Sequence, residues 1–131
     1  MTFRLAHHNK ILTILESLDS DVLKKGSAYF GGGTLIALDF EEYRWSKDVD
    51  FICPAASSGY RDLRNVVFEG GYQALFQDLS QIHIGNGTTN QYGIRMLITV
   101  DNVPIKLEII AEANIELDLP RYPKWSPVAC L

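Results

Sequence analysis

The 131 residues predict a single α/β (α+β) domain: a small mixed β-sheet flanked by helices. Three observations carry that prediction. Segments with apolar residues three and four apart alternate with shorter runs of strand period. Two long β-branched runs late in the chain are separated by Asp101-Asn102 alone, a connection that reads as a hairpin. No linker, repeat or low-complexity stretch divides the chain, and its length suits one domain.

The elements follow in order. Leu5, Ile11, Leu12, Ile14, Leu15 and Leu18 recur at helical spacing, which predicts an amphipathic helix over Leu5–Leu18. Ser20 and Asp21 suit the cap of a short following turn that Gly26 ends. Ser27–Phe30 reads as a short strand, Gly31–Gly33 as a turn, and Thr34–Phe40 as a helix. Asp48–Cys53 alternates as a strand does and is stopped by Pro54. Ser57–Phe68 suits a second surface helix, closed by Gly70-Gly71. Phe76–Ile84 fits either strand or helix, and Gly85–Asn90 is a loop by composition. Tyr92–Val100 and Val103–Ile110 form the hairpin, and Ile115–Leu119 reads as a last strand. Pro120–Leu131, with three prolines, suggests no element.

Composition excludes several classes. The chain is 47% apolar and 21% charged, unlike disordered, collagen-like or coiled-coil sequences. Sixteen acidic against twelve basic residues give a net charge of −4, which argues against a protein that chiefly grips nucleic-acid phosphates. Clustered carboxylates remain suited to a hard cation. Cys53 and Cys130 match neither a disulfide framework nor a zinc pattern and read as two reduced thiols. The N-terminus lacks the apolar core of a signal peptide, and no run reaches the length of a membrane span. A soluble, cytoplasmic protein without membrane partners is expected.

The strongest local signal is Asp48-Val49-Asp50. Residues two apart on a strand share a face, so both carboxylates project together while Val49 and Phe51 turn to the core. Held side by side they repel, and a divalent cation relieves the repulsion. An idle, solvated pair is the competing reading. Glu108 lies in the otherwise apolar strand Pro104–Ile110, where a carboxylate is out of place unless paired or metal-bound. If that strand neighbours the Asp48–Asp50 strand, three acids converge, a set able to hold one or two Mg²⁺ (or Mn²⁺) ions. The competing reading is a salt bridge from Glu108 to Lys106 or Arg95. Gly31-Gly32-Gly33-Thr34 is the second signal. Glycines admit close backbone approach, and the helix N-terminus after them offers free N–H groups to an anion. Thr34 offers its hydroxyl either to a phosphate or to the helix cap. Neither a Walker A loop nor a dinucleotide fingerprint is present.

Together, the strand, Gly32-Gly33-Thr34, the helix, Arg44, Ser46, Asp48, Asp50 and Phe51, and a later strand with Lys106 and Glu108, resemble the nucleotidyltransferase superfamily of the DNA polymerase β type. Within it the pattern is most similar to the AbiEii/AbiGii toxin family, and the resemblance spans roughly Ala28 to Glu108. It implies transfer of a nucleotidyl group from an NTP to an acceptor hydroxyl of RNA or protein, with release of pyrophosphate. Asp48, Asp50 and Glu108 would then be the metal-binding catalytic residues, Glu108 helping to activate the acceptor oxygen. Gly33 and Thr34 would bind the β- and γ-phosphates; Arg44 and Ser46 would brace the carboxylate strand or contact phosphate, and Gly32 and Lys106 would complete the nucleotide-binding set. An antitoxin protein would be the cognate partner. The chain departs from the pattern in places. Fourteen residues separate Gly33 from Asp48, a long spacing, and Glu42-Tyr43 replaces the glycine that commonly precedes the arginine. In the family a segment like Ser126–Leu131 leads into a helix with an Ala-Glu-Lys-Leu-like motif. By that measure the chain corresponds to the N-terminal catalytic core without the helical half, and an uncovered apolar face would invite homo-oligomers.

The remaining residues have plainer readings. His7 and His8 belong to a polar helix face and are expected to be solvated; His83 is expected to be structural. Tyr43, Trp45 and Phe51 are expected to pack the core, with Trp45 the one suited to stacking on a base. Tyr122 and Trp125 are expected to cover a sheet edge. Against the transferase stand two alternatives: a shortened module that binds nucleotide or a partner without catalysis, and a structural remnant with no ligand.

Overall fold

The computed structural model describes residues 3–55, 58–113 and 119–131. The elements are α1 (Ala6–Ser17), α2 (Ser20–Lys25), β1 (Tyr29–Gly31), α3 (Gly32–Asp39), β2 (Val49–Pro54), α4 (Ser58–Gly70), β3 (His83–Asn90), β4 (Gly93–Val100) and β5 (Val103–Glu112). The strands form one mixed sheet in the order β1-β2-β5-β4-β3. β2 and β5 run parallel; the other neighbours are antiparallel. No helix among the described residues is long and apolar enough to cross a membrane.

Strand alternation makes the sheet two-faced. Val49, Phe51 and Cys53 of β2, Ile94, Met96 and Ile98 of β4, and Ile105, Leu107 and Ile109 of β5 are all buried. They join Ile11, Ile14 and Leu15 of α1 and Leu63 and Val67 of α4 in one core. The intervening residues, Asp50 on β2, Arg95 on β4 and Lys106 and Glu108 on β5, belong to the opposite face and are exposed or half-buried. The β4–β5 hairpin closes through Asp101 (φ 49°) and Asn102 (φ 66°), the left-handed pair that a two-residue turn requires.

Several expectations need correction. Gly85–Asn90 is strand, not loop, because it completes the ladder on the edge of β4 around an irregularity between Ile84 and Gly87. Composition misleads there because an edge strand has one solvated side. Tyr60 Oη donates to the Asn90 carbonyl, and Tyr72 and Thr89 share a hydroxyl–hydroxyl hydrogen bond of 2.8 Å, so side chains from α4 and the following 3₁₀ turn (Tyr72–Leu75) hold it in place. Within Phe76–Ile84, Phe76 makes a bridge to Leu18 and the strand begins only at His83. His83 is exposed on that edge rather than structural. The cap of α2 is Asp19, whose side chain accepts from the N–H groups of Asp21 and Val22. The helix expected from Ser57 begins, among the described residues, at Ser58. The last expected strand, Ile115–Leu119, falls almost wholly outside the described residues.

The tail is more than coil. Phe30 N–H donates to the Ala129 carbonyl and Leu131 N–H to the Phe30 carbonyl, both at 2.9 Å, so residues 129–131 pair with β1. Trp125 packs edge-on against Phe3 and Phe30, as a covering residue should. Tyr122 does not; it is exposed, beneath the Lys24 ammonium. Phe51, fully buried against Phe30 at 5.6 Å between ring centroids, is central to this core. Phe51→Ala should lower the unfolding free energy by about 3–5 kcal/mol, read from urea denaturation.

Candidate active site

The site begins where β1 passes directly into α3 with no intervening turn. Gly31 is extended, and Gly32 takes φ +73°, the left-handed conformation that turns the chain into the helix. A side chain at Gly32 would meet the Asp50 carboxylate at 3.0 Å, and one at Gly33 would strike the Arg44 guanidinium at 2.1 Å. The glycines thus leave room for two functional side chains. Thr34 does not cap α3, whose N-cap Gly31 offers no side chain. Its buried hydroxyl is shared with Ser46 Oγ (2.8 Å) and reaches the Asp48 carbonyl (2.5 Å), tying α3 to the Arg44–Asp48 segment.

Gly33, Thr34, Arg44, Trp45, Ser46, Lys47, Asp48 and Asp50 line one open cavity of ≈ 340 Å³. Six of the expected site residues meet there, and Gly32 stands against Asp50 at its edge. Phe51 packs the core as expected, whereas Trp45 is 57% exposed and Tyr43 62%, because both lie on the irregular segment outside the sheet. Trp45 rests on the His7 ring at 4.9 Å.

Parallel pairing of β2 with β5 sets Asp50 opposite Glu108, and the β4–β5 hairpin sets Arg95 opposite Glu108 on the other side. Glu108 does not line the cavity. Its carboxylate is ion-paired with Lys106 Nζ (2.9 Å) and Arg95 Nε (3.0 Å), so both possible bridges form. The Lys106 hydrogen bond holds Glu108 below the ordinary carboxylate value against the opposing effect of burial, and Arg95 adds to it. Asp50 moves the other way: burial first, then the charges of Glu108 and Asp48, push its carboxyl up, with Lys106 partly offsetting them. Lys106 is itself raised, by Glu108 first and then Asp48, with burial opposing.

Among the described residues, no three His, Cys, Asp or Glu side chains are grouped closely enough to cage a metal unaided. The donors nonetheless suit Mg²⁺, which is commonly held by one or two carboxylates together with substrate phosphates. Asp48 and Asp50 are such a pair, and Asp50 carries negative charge that its surroundings disfavour.

Sequence reading missed a layer behind the cavity. His8, expected to be solvated, is fully buried, because it shares the α1 stripe of Ile11, Leu12 and Leu15. That spacing was its legible signal. His8 meets the buried Glu42, whose carboxylate also accepts the Arg4 and Leu5 backbone N–H groups at the start of α1. Nothing local in the sequence points to Glu42.

Residues 13–131 match the family model described as nucleotidyl transferase AbiEii toxin, type IV toxin–antitoxin system. No curated protein matches the sequence significantly. In fold, the chain is similar to a crystal structure of a presumed nucleotidyltransferase from H. pylori, with a TM-score of 0.53 and 14% identity. The match covers 98% of this chain and 55% of that one, so the chain spans little more than half of that protein.

The Asp50 environment gives a stability test. Its folded-state pKa lies above the unfolded value, so the penalty is absent at low pH, where both states are protonated, and grows as pH rises through the folded pKa. Asp50→Asn should therefore melt higher than the parent at neutral pH, with the gain fading on acidification through the carboxylate range, as followed by differential scanning fluorimetry.

Proposed function

We propose that this chain, which belongs to the AbiEii nucleotidyl transferase toxin family, transfers a nucleotidyl group from an NTP to an acceptor hydroxyl of RNA or protein in a Mg²⁺-dependent reaction. The observation that carries the reading is the convergence of Asp48 and Asp50 with the Gly32-Gly33-Thr34 helix start and Arg44 on one open cavity. A divalent ion held by Asp48 and Asp50 would supply charge neutralisation on the triphosphate. The backbone N–H groups of Gly33 and Thr34, at the positive end of α3, suit the β- and γ-phosphates. Arg44, lying over Gly33, adds cationic charge beside them. The acceptor oxygen would bond to the α-phosphorus as the α–β phosphoanhydride breaks and pyrophosphate leaves. Glu108, across the ladder from Asp50, would be the group to accept the hydroxyl proton, which requires its carboxylate to loosen from Lys106 and turn toward the cavity. Family membership supports a cytoplasmic setting and an antitoxin protein as partner.

A second reading, nucleotide binding without turnover, is favoured by one observation: Glu108 is held by two cations at once. Label transfer from each α-labelled NTP into tRNA and protein, beside thermal shifts with Mg²⁺ and each NTP, separates the two. The transferase predicts that Asp48→Asn, Asp50→Asn and Glu108→Gln each reduce incorporation by roughly 10²–10³-fold. Nucleotide-induced stabilisation that Asp48→Asn abolishes, with no incorporation by the parent chain, would establish the binding module. No shift with any nucleotide, together with no incorporation, would overturn both.

A further inference from the structure

We propose that His8, held as its Nδ1–H tautomer by Glu42, is a positioning residue that sets the register of the Arg44–Asp48 segment against the glycine-led helix. The consequence for ligand binding rests on the nucleotide-cleft reading; the anchoring itself does not.

The tautomer follows from the partners. Nδ1 lies 2.9 Å from Glu42 Oε1, and Nε2 lies 2.9 Å from the backbone nitrogen of Ser46. A backbone N–H can only donate, so Nε2 carries its lone pair and the ring proton sits on Nδ1, donating to Glu42. Burial pushes the Glu42 carboxyl up, but the Leu5 and Arg4 backbone N–H groups and His8 together hold it below its ordinary value, in the acceptor form that the geometry needs. The ring is fully buried, so either nitrogen left without its partner would be desolvated at a cost.

Glu42 is a fixed anchor for this ring. It and Glu41 both adopt left-handed backbone conformations, at φ 55° and 60°, that side chains rarely take without compensation. The compensation is visible: Glu42 ties its carboxylate to α1, and its carbonyl accepts from Arg4 Nη2 at 2.8 Å. From His8 the connection continues outward. Ser46 gives its N–H to His8 and shares its hydroxyl with Thr34 Oγ1, which also donates to the Asp48 carbonyl. One chain of hydrogen bonds therefore runs from α1 through Ser46 and Thr34 to the backbone of the first carboxylate. Since catalytic carboxylates must be placed to within a fraction of an ångström, a buried tie of this kind is a means of fixing Asp48 before any ligand arrives.

Three readouts on the full chain test the proposal. Long-range ¹H–¹⁵N spectra should show His8 with Nδ1 protonated and Nε2 not; the opposite tautomer, or a mixture, would overturn it. Two substitutions then split the two contacts. Gln in place of His8 puts an acceptor near the Nε2 position, and Asn puts a donor near the Nδ1 position. His8→Asn should speed hydrogen exchange of the Ser46 amide and weaken Mn²⁺ binding, each by about tenfold, while His8→Gln retains both to within a small factor, even where both variants lose similar thermal stability. Equal effects of the two substitutions on Ser46 exchange, relative to their melting temperatures, would mean that the ring merely fills space. Failure of the parent chain to bind Mn²⁺ would instead sink the nucleotide-cleft reading, leaving the tautomer and the Ser46 exchange to decide the anchor.

Discussion

Carboxylates on neighbouring strands cannot be brought into register on a half-buried surface without a positive charge to answer them. That constraint organises this molecule. Parallel pairing of β2 with β5 places Asp50 beside Glu108, and Lys106 and Arg95, on the same face of the sheet, supply the answer. The two acids are treated unequally. Glu108 holds both cations and stays ionised readily, while Asp50 is left with the cost of burial and, after it, the repulsion that Lys106 only partly offsets. The inequality separates a group already satisfied within the protein from one that gains by meeting an external cation.

Around that pair the fold is economical. α3 starts on the residue that follows β1, so the chain reverses its character within one left-handed glycine, and Thr34 spans from the helix to the Asp48 backbone. The opposite face of the sheet carries the core, and the helices α1 and α4 cover it. Stability and chemistry are thus assigned to different faces of the same strands, which lets Val49 and Phe51 anchor the core while Asp50 between them faces the cleft.

Much of this was legible in the sequence, and the reason is alternation. Val49-Asp50-Phe51 and Leu107-Glu108-Ile109 each announce a strand whose middle residue is out of place, and the eventual pairing of those two residues follows from one correct guess about neighbours. What escaped notice has equally physical causes. β3 is an edge strand of Gly, Asn and Thr, held by side chains of α4 and the 3₁₀ turn rather than by its own propensity. His8 reads as polar by type but as core by spacing, and spacing was the better guide. Glu42 acts on α1 from a different part of the chain, and no local pattern encodes a contact of that range. The bridge from Glu108 to Lys106 or Arg95 was legible only as an alternative to metal binding; the register and the ion pairs show that both form.

The two tryptophans occupy contrasting surroundings. Trp45 stands at the mouth of the cleft, more than half exposed against His7, whereas Trp125 is wedged among Phe3 and Phe30. An indole in water emits at longer wavelength than one packed among aromatic rings, so Trp45 should emit to the red of Trp125, which is half-buried with its Nε1 donating to Asp39. The red side of its emission reports on the cleft and the blue side on the packing of β1 with the tail, without any label being attached.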